Sequence, residues 1–435
     1  MIPIFQDGFE GLPKQNPIET RQQLSIKQIA PSVPGSAVIG QALIDHISQI
    51  DHDLCDAGDE DSFFVCDLAE VVKSVRQWRE SLPQVHPFYA VKCNGNVEVL
   101  KLLKSLDVNF DCASKTEIDT ILNLGVDSGR IVYANPCKTN SFIRHAKQTN
   151  IGLTTVDNVG ELYKLQKYHP ECGILIRIIT DDETAQCRLS SKFGCSLTVA
   201  ITELLPLAKE LGLDVRGVAF HVGSGAKDFT SIYKAVRDSR AVFDAARELG
   251  FCMNVLDIGG GFERESFEQS STMVNLSLSE FFPQEFVDQY KIKFMAEPGR
   301  FMVANSFTLA THIIAKREIK NSPAMIYIND GVYGNMNCIL FDHQHPTPQV
   351  LTYKNKCYYN TASRETYEVS IWGPTCDGLD CVSNSSKLSH DVDVGDWLYF
   401  TNLGAYTSAA TTSFNGFKGN AHVIYVASEE LPMSL

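Results

Sequence analysis

Short apolar runs alternate with longer amphipathic segments from residue 68 to about residue 300. Several amphipathic segments have apolar residues at i, i+3, i+4 and i+7 and end at glycine, which is typical of helices. The apolar runs predict eight strands, each except the last followed by a helix: FYAV (88–91), NFDCA (109–113), IVYAN (131–135), LTTVD (153–157), GILIRI (173–178), GVAFHVG (217–223), VLDIGGG (255–261) and KFMAEPG (293–299). Alternation of this kind requires parallel strands with crossover connections. Eight such units predict an α/β fold, a (β/α)8 barrel, with a doubly wound open sheet as the alternative.

The segments on either side of this region follow other patterns. Residues 1–34 are polar and contain prolines, whereas SFFVCDL (62–68) has the apolar and aromatic composition of a strand. After about residue 306 the helical period fades, and strand-like segments separated by turn residues follow, which predicts a second, mostly β domain of sandwich or barrel type. The predicted organisation is a loose leader (1–34), an N-terminal segment that starts with a helix at Ser36 and joins the β domain (35–67), the barrel (68–306) and the C-terminal β domain (307–435).

Composition and charge exclude several classes of function. The 38 basic and 52 acidic residues give a net charge of −14, which argues against binding to nucleic acid or to an anionic membrane surface. No apolar run approaches the roughly 20 residues that span a bilayer, and the first residues lack the pattern of a secretory signal. The 13 cysteines are an odd number and show no zinc-ligand spacing. We therefore expect reduced thiols, a cytoplasmic location and no metal site.

Polar residues stand at the carboxyl ends of the predicted strands, where barrels of this kind have their active sites. Lys92 ends its strand within PFYAVKCN, and burial in the barrel mouth would lower the pKa of its amine and make it a nucleophile; a salt-bridged lysine is the alternative. Singly, Asn135 and Arg177 are typical of ordinary rim residues, but the whole set indicates an active site. Its members are Lys92, Asp111, Asn135, Asp157, Arg177, His221, Gly259 to Gly261, and Glu297 to Arg300.

Two glycine-containing loops predict an anion site. GGGF (259–262) follows the seventh strand and EPGR (297–300) follows the eighth, which is where barrels often bind phosphate. Glycines let backbone N–H groups approach an anion, and Arg300 can bind its oxygens with a bidentate pair of hydrogen bonds. A phosphate site beside a strand-end lysine points to pyridoxal phosphate, with which a lysine amine forms a Schiff base. Glu297 is the carboxylate expected to face the pyridine nitrogen of that cofactor.

Longer strings of residues identify a family. They are PFYAVKCN, FDCASKTEI, YANPCK, CRLSSKFG, FHVGSG, LDIGGGF, AEPGRF, NDGVYGNMNCILFDH, IWGPTCDGLD, GAYT and FNGF. From about residue 60 to residue 426 the chain resembles the eukaryotic ornithine decarboxylases, which belong to the alanine racemase-like barrel group of pyridoxal phosphate enzymes. The resemblance implies decarboxylation of L-ornithine to putrescine, a step of polyamine biosynthesis.

The resemblance also implies roles for individual residues. Lys92 would bind the cofactor covalently, His221 would stack on its ring, and Glu297 would pair with the pyridine nitrogen. The remaining cofactor-binding positions would be Asp111, Glu117, Arg188, Ser224, Gly259, Gly260, Gly261, Arg300 and Tyr406. Asp342 and Asp377 would bind the distal ammonium of the substrate, and the Cys376 thiol would donate a proton after decarboxylation.

The same resemblance implies a homodimer whose active sites are shared. Cys376 and Asp377 would reach into the partner's site, and Lys192 and Asp380 would form a salt bridge between the subunits. An antizyme-type regulator is a further expected partner. Two alternatives stay open. The first is an enzyme of broader lysine and ornithine specificity, because one methylene changes binding by only about 1–3 kcal/mol. The second is a non-catalytic relative of the antizyme-inhibitor type.

Overall fold

The chain folds into a parallel barrel and a separate sheet, and the segment before the barrel belongs to the sheet. The structure is a computed structural model that describes residues 35–180, 185–186, 189–225, 228–363, 365–417, 419 and 422–431. The predicted leader (1–34) lies outside the described residues. Helix α1 (Gly35–Ile47) confirms the helix expected from Ser36, and strand β1 (Phe63–Asp67) follows it.

Eight parallel strands close the predicted barrel. They are β2 (Val85–Ala90), β3 (Asn109–Cys112), β4 (Ile131–Tyr133), β5 (Leu153–Val156), β6 (Gly173–Arg177), β7 (Asp214–Ala219), β8 (Val255–Asp257) and β9 (Lys293–Ala296). Pairing of β2 with β9 completes the ring, so the barrel prediction is confirmed and the open-sheet alternative is excluded.

Helices surround the barrel strands. They are α2 (Leu68–Ser81), α3 (Val97–Ser105), α4 (Lys115–Asn123), α5 (Asn140–Gln148), α6 (Val159–Tyr168), α7 (Leu197–Val199), α8 (Leu205–Glu210), α9 (Thr230–Glu248), α10 (Phe267–Phe281), α11 (Gln284–Tyr290) and α12 (Arg300–Val303). A π-helical turn (Ala200–Leu204) joins α7 to α8. Asparagine, serine or threonine side chains cap α3, α4, α5 and α6 by accepting hydrogen bonds from first-turn N–H groups, which fixes where these helices begin. Among the described residues, no helix is long and apolar enough to cross a membrane.

An aromatic cluster fixes the glycine loops that follow β8 and β9. Trp78 on α2 is fully buried, and its ring lies 5.0 Å from that of Phe262 in GGGF and 5.6 Å from that of Phe301 in EPGRF. Phe267 at the start of α10 packs 4.1 Å from Phe301. Burial of each large aromatic side chain contributes roughly 1.5–3 kcal/mol. The same contacts that stabilise this end of the barrel therefore hold both loops in place.

The mostly β second domain is also confirmed. Its strands are β10 (Phe307–Ile319), β11 (Ser322–Ile328), β12 (Gln349–Val350), β13 (Thr352–Tyr353), β14 (Lys356–Cys357), β15 (Tyr367–Trp372), β16 (Cys381–Leu388), β17 (Trp397–Phe400) and β18 (His422–Val426), with helix α13 (Cys338–Phe341) between β11 and β12. The long strand β10 pairs with β1 and β17 in its first half and with β11 in its second half. Strand β1 pairs in parallel with β18 as well, so the N-terminal segment completes the C-terminal sheet.

Candidate active site

The end of strand β2 carries Lys92 in a tightly held turn. Residues Val91–Cys93 form a single 3-10 turn, and the carbonyl of Cys93 accepts a hydrogen bond of 2.9 Å from the N–H of Tyr406. Next to it, Asn94 is buried and donates to the carbonyl of Gly404 at 2.8 Å. The GAYT segment that holds Gly404 and Tyr406 follows β17 of the second domain. Lys92 and Tyr406 are thus brought together by backbone contacts.

The amine of Lys92 forms an ion pair with Asp111, which lies on β3. Nζ is 3.4 Å from Oδ2 of Asp111, whose carboxylate is fully buried. Our expectation of a lowered pKa is wrong, because the charge of Asp111 raises the pKa of Lys92 and outweighs the opposing effect of burial. Burial in turn raises the pKa of Asp111 to about 7. The salt-bridged lysine therefore describes the amine in this structure.

Two buried carboxyl groups meet at the ends of β8 and β9. Glu297 is 7% exposed, and its carboxyl group lies close enough to that of Asp257, which is fully buried, for the two charges to interact. Burial, with the neighbouring charge of Asp257 as the second cause, raises the pKa of Glu297 to about 8. The same desolvation raises the pKa of Asp257 to about 7, although the N–H of Gly259 donates to its Oδ1 at 2.9 Å. Because like charges this close cannot both ionise cheaply, the pair holds a proton near neutral pH.

His221 follows β7 and is held as a neutral imidazole. Burial, together with the charges of Arg177 and Lys92, keeps its pKa well below the usual value. The N–H of Gly223 donates to Nδ1 at 3.0 Å, so the proton of the neutral ring is on Nε2. A Cβ at Gly260 would lie 2.9 Å from that Nε2 and 2.8 Å from the carbonyl oxygen of Glu297. Gly260 therefore has no room for a side chain between His221 and Glu297.

The GGGF loop forms a cradle that only glycine permits. Gly259 and Gly261 have φ angles of +66° and +94°, which disfavour any residue with a side chain. A Cβ at Gly259 would lie 2.1 Å from the carbonyl oxygen of Phe220, and one at Gly261 would lie 2.2 Å from that of Gly223. The backbone of this loop packs directly on the HVGSG segment. The arrangement fits a loop that approaches an anion with its N–H groups.

Arg300 lies at the start of α12, beside the same cradle. Its guanidinium pairs with Asp342, lies 3.5 Å from Glu263, and stands over the ring of Tyr406 at 5.3 Å. Its Nε has no hydrogen-bond partner among the described residues. Asp342, predicted to bind the substrate, thus contacts the arginine that was predicted to bind phosphate. The two predicted roles therefore belong to adjacent groups of one site.

One pocket brings most of the predicted cofactor residues together. Its lining includes Lys92, His221, Ser224, Gly261, Glu297, Arg300 and Tyr406. Glu117 lies nearby on α4, where its carboxylate accepts a hydrogen bond of 2.6 Å from the N–H of Ala113. Arg188 lies outside the described residues. The lining residues come from the ends of β2, β7, β8 and β9 and from the segment after β17, as a barrel active site requires.

The loop that contains Cys376 and Asp377, two residues predicted to act on the substrate, lies outside this pocket. Neither Cys376 nor Asp377 lines the pocket of Lys92. The N–H of Cys376 donates to Asn415 at 2.9 Å, and the hydroxyl of Tyr333 donates to Asp377. Asp377 therefore has its contacts in the second domain.

The residues of the predicted intersubunit salt bridge are also separate within one chain. The carboxylate of Asp380 is buried and accepts hydrogen bonds from the N–H of Val332 at 2.9 Å and from the hydroxyl of Thr375 at 2.6 Å. Lys192 is exposed, and its Nζ lies 4.9 Å from the ring centroid of Phe193. The salt bridge between subunits stays a prediction.

Asp257 escaped the sequence analysis, and Arg177 entered it only as one of the polar residues at the barrel rim. Arg177 at the end of β6 acts on the pKa of Lys92, Asp111 and Glu297, although it was read as an ordinary rim residue. Asp257 was named only as part of the predicted strand VLDIGGG (255–261), with no role in the site. The signal that was available is position, since both residues end barrel strands next to predicted site residues.

Comparison with known proteins now decides the family. The model of the pyridoxal-binding domain of pyridoxal-dependent decarboxylases matches residues 68–304. The chain belongs to this family. Its cofactor is pyridoxal phosphate, as the strand-end lysine and the glycine cradle predicted.

Relatives of this decarboxylase differ in their names and substrates. It is 59% identical to the ornithine decarboxylase of Candida albicans over 421 residues, which cover 90% of this chain and 89% of the relative. It is 43% identical to a Xenopus laevis protein named antizyme inhibitor 2 over 390 residues, covering 86% of this chain and 83% of that relative. The solved arginine decarboxylase of Paramecium bursaria Chlorella virus superposes with a TM-score of 0.80 at 34% identity, over 90% of this chain and all of that one. The fold is thus common to proteins with different substrates, and the site residues must separate them.

Proposed function

We propose that this chain is an ornithine decarboxylase, which converts L-ornithine to putrescine and CO₂ and so supplies polyamine biosynthesis. The observation that carries the proposal is the pocket that joins Lys92, His221, Glu297 and Arg300 at one end of the barrel. The ornithine decarboxylase of Candida albicans, at 59% identity, supports the choice of reaction. A catalytically silent relative would not need this set of buried charged groups.

The residues of the pocket fit the cofactor. Its phosphate would lie in the cradle of Gly259, Gly260 and Gly261, with Ser224, Arg300 and Tyr406 as side-chain partners, because a Cβ in the cradle would clash with backbone. Lys92 would hold the aldehyde carbon covalently, beside Asp111, Glu117 and Arg177, and we propose Arg177 where the sequence had suggested Arg188. When bound, pyridoxal phosphate supplies an electron sink for the charge that loss of CO₂ leaves on the α-carbon.

The chain's own groups control the protons of the site. Glu297 and Asp257 hold one proton near neutral pH, and Glu297 would share it with the pyridine nitrogen of the bound cofactor. His221 is neutral, so its flat ring can stack on an aromatic cofactor without adding a positive charge. The ion pair with Asp111 keeps the Lys92 amine protonated, and this proton must leave before the amine can attack an aldehyde.

The substrate proposal rests on acidic residues. Asp342 and Asp377 offer charge-assisted hydrogen bonds to the distal ammonium of ornithine. A substrate with a second carboxylate would need a basic group in place of the acidic TCDGLD segment. The thiol of Cys376 is exposed and is the proposed donor of the proton that replaces CO₂ on the α-carbon.

We further propose a homodimer whose two sites each take residues from both chains. Cys376 and Asp377 lie outside the pocket of Lys92 within one chain, which supports their reaching a partner. The side chains of Leu379, Phe414 and Phe417 are 67%, 43% and 46% exposed. Large exposed apolar residues grouped around a functional loop are typical of a protein interface.

Release of CO₂ from ornithine, lysine and arginine tests the reaction and the substrate together. We expect ornithine to be the best substrate by kcat/KM and Lys92→Ala to be inactive. Lys101→Ala, an exposed lysine of α3, is the matched control and should keep full activity. A yellow, cofactor-loaded protein that releases CO₂ from none of the three substrates would contradict the proposed function, and a higher kcat/KM for lysine would contradict the substrate.

A mixing experiment tests the shared site. Lys92→Ala and Cys376→Ala are each expected to be nearly inactive, whereas a mixed dimer has one site with both changes and one intact site. Random pairing of equal amounts gives half mixed dimers, so about a quarter of wild-type activity should return on co-expression. If tagged, purified mixed dimers have no activity, each chain contains its own complete site.

The remaining proposals concern the location of the protein and its regulatory partner. The twelve cysteines of the described residues are free thiols, which supports the proposed cytoplasmic location. The relative named antizyme inhibitor 2 supports an antizyme-type regulator as a partner of this chain. Binding of a purified antizyme to the enzyme, measured by calorimetry, would test that partner directly.

A further inference from the structure

A second group of chemically reactive side chains lies in the β domain, outside the active site. His52 and Glu60 belong to the loop between α1 and β1, and His312 lies on β10. One potential ligand atom from each of the three residues lies within 4.8 Å of the other two. None of these residues takes part in the decarboxylase site described above, so they need another explanation.

We infer that His52, Glu60 and His312 form a binding site for a divalent transition-metal ion of the Zn²⁺ class. Two imidazoles and one carboxylate are the donor set that zinc takes when one coordination position is left to water. The site would connect the N-terminal loop to the central strand of the β sheet.

The spacing of the donor atoms fits one ion. Nδ1 of His52 lies 3.1 Å from Oε2 of Glu60, and Nδ1 of His312 lies 3.5 Å from the same oxygen. Two ligands of a tetrahedral zinc ion, each about 2.1 Å from the metal, are about 3.4 Å apart. The distances from the carboxylate oxygen to the two nitrogens therefore match those around one ion, and binding requires the two stacked imidazole rings to rotate until both nitrogen lone pairs point at it.

His312 is the strongest single observation. It is 5% exposed, and neither of its ring nitrogens has a hydrogen-bond partner among the described residues. Its ring stacks 5.0 Å from that of Trp397 and 4.6 Å from that of His52. A buried imidazole without a hydrogen bond is costly, and a metal ion bound to one nitrogen would remove part of that cost.

The surroundings hold the site in place and favour a cation. Asn329 accepts a hydrogen bond of 2.9 Å from the N–H of His312 and donates one of 2.7 Å to the carbonyl of Glu60, so one side chain fixes both backbones. The loop DHDLCDAGDED (51–61) has six carboxylates and no lysine or arginine. Its charge attracts a divalent cation, and the amide of Asn329 is a positioning group for two of the three ligands.

Zinc content of the holoenzyme tests this site. Protein dialysed against buffered Zn²⁺ and then analysed by atomic absorption should hold one zinc ion more per chain in the wild type than in His52→Ala. His52 is exposed, so this variant leaves the core intact, whereas His312 packs on Trp397 and is not changed. Glu60→Gln should weaken zinc binding at least tenfold, since loss of even an outer partner of a metal ligand costs 10- to 100-fold.

Matched controls separate the site from general attraction of zinc. His86→Ala removes an exposed histidine on β2, and Asp53→Asn removes one exposed charge of the same acidic loop; both should bind zinc as the wild type does. Zn²⁺ should also raise the melting temperature of the wild type and of both controls, but not that of His52→Ala. Equal zinc content in all five proteins would overturn the inference, as would an equal rise in melting temperature.

Discussion

The proton shared by Asp257 and Glu297 should make the cofactor-free protein less stable as pH rises. Each of these buried carboxyl groups has a pKa above its usual value, with burial as the main cause. A carboxyl group whose pKa is raised in the folded state stabilises that state while it is protonated. This contribution is complete below the unfolded-state pKa of about 4.5 and is lost as pH rises through the folded-state value of about 8.

The size of the loss of unfolding free energy follows from the pKa values. A change from 4.5 to about 8 corresponds to about 5 kcal/mol in total, and about 3 kcal/mol of it is lost between pH 6 and pH 9. Because the two carboxyl groups titrate together, this figure belongs to the pair. Asp257→Asn removes the charge of Asp257, which is the second cause of the raised pKa of Glu297, and places an amide donor beside Glu297. Burial, the main cause, remains. The variant should therefore lose only about half as much stability over the same range.

Urea unfolding of the cofactor-free protein at pH 6, 7, 8 and 9 measures this difference. Protein concentration must be constant, since association of chains changes the apparent stability. Titrating groups that do not interact with Asp257 contribute equally to wild type and variant and cancel when the two curves are subtracted; Asp111 is not one of them, because its charge acts on Asp257. Parallel curves for wild type and Asp257→Asn would refute the shared proton.

Three further predictions follow from named contacts. Borohydride reduction of the holoenzyme followed by peptide mapping should place the pyridoxyl group on Lys92, and a label on another lysine would contradict the proposed cofactor site. Asp377→Asn should reduce kcat/KM for ornithine by a factor that corresponds to about 1.5–3 kcal/mol, with unchanged cofactor content, because it removes the charged acceptor for the distal ammonium. Full activity would assign the binding of that ammonium to another residue. Glu161→Gln should lower the unfolding free energy by about 3–5 kcal/mol in urea, since it leaves the buried amine of Lys138, now 3.1 Å from Glu161, without its counter-ion; a loss below 1 kcal/mol would contradict this.

The barrel was predictable because its signal is local and repeated. Each of the eight strands is a short apolar run that precedes an amphipathic segment, and every predicted run overlaps an observed strand, although β2 and β7 each begin three residues before the predicted run. Strand β16 has no strand-like pattern in its residues, because CVSNSSKL is polar along its length and lies at an end of the sheet, where one side of the strand needs no partner. The hairpin of β13 and β14 has no such pattern either, since two-residue strands are too short to show an alternation.

The active site was predictable to the extent that its residues stand at strand ends. Lys92, Asp111, His221 and Glu297 were found there, and the structure brings them around one pocket or next to it. Their protonation could not be read from the sequence. The sign of the pKa shift of Lys92 depends on the 3.4 Å approach of Asp111 from the neighbouring strand, and burial alone would have given the opposite sign.

The proposed metal site shows why a motif search fails where packing decides. His52 and Glu60 are eight residues apart in a loop, but His312 is 260 residues away and reaches them only because β1 pairs antiparallel with β10. The register that sets Phe63 against Ala310 brings the loop before β1 to the level of His312 on β10, and the side chain of Asn329 bonds to both. The contacts that bring His312 to the other two donor atoms are tertiary, so no spacing along the chain records them. A residue pattern predicts chemistry well when one strand end or one loop supplies the donors, and poorly when a sheet must first be assembled from both ends of the chain.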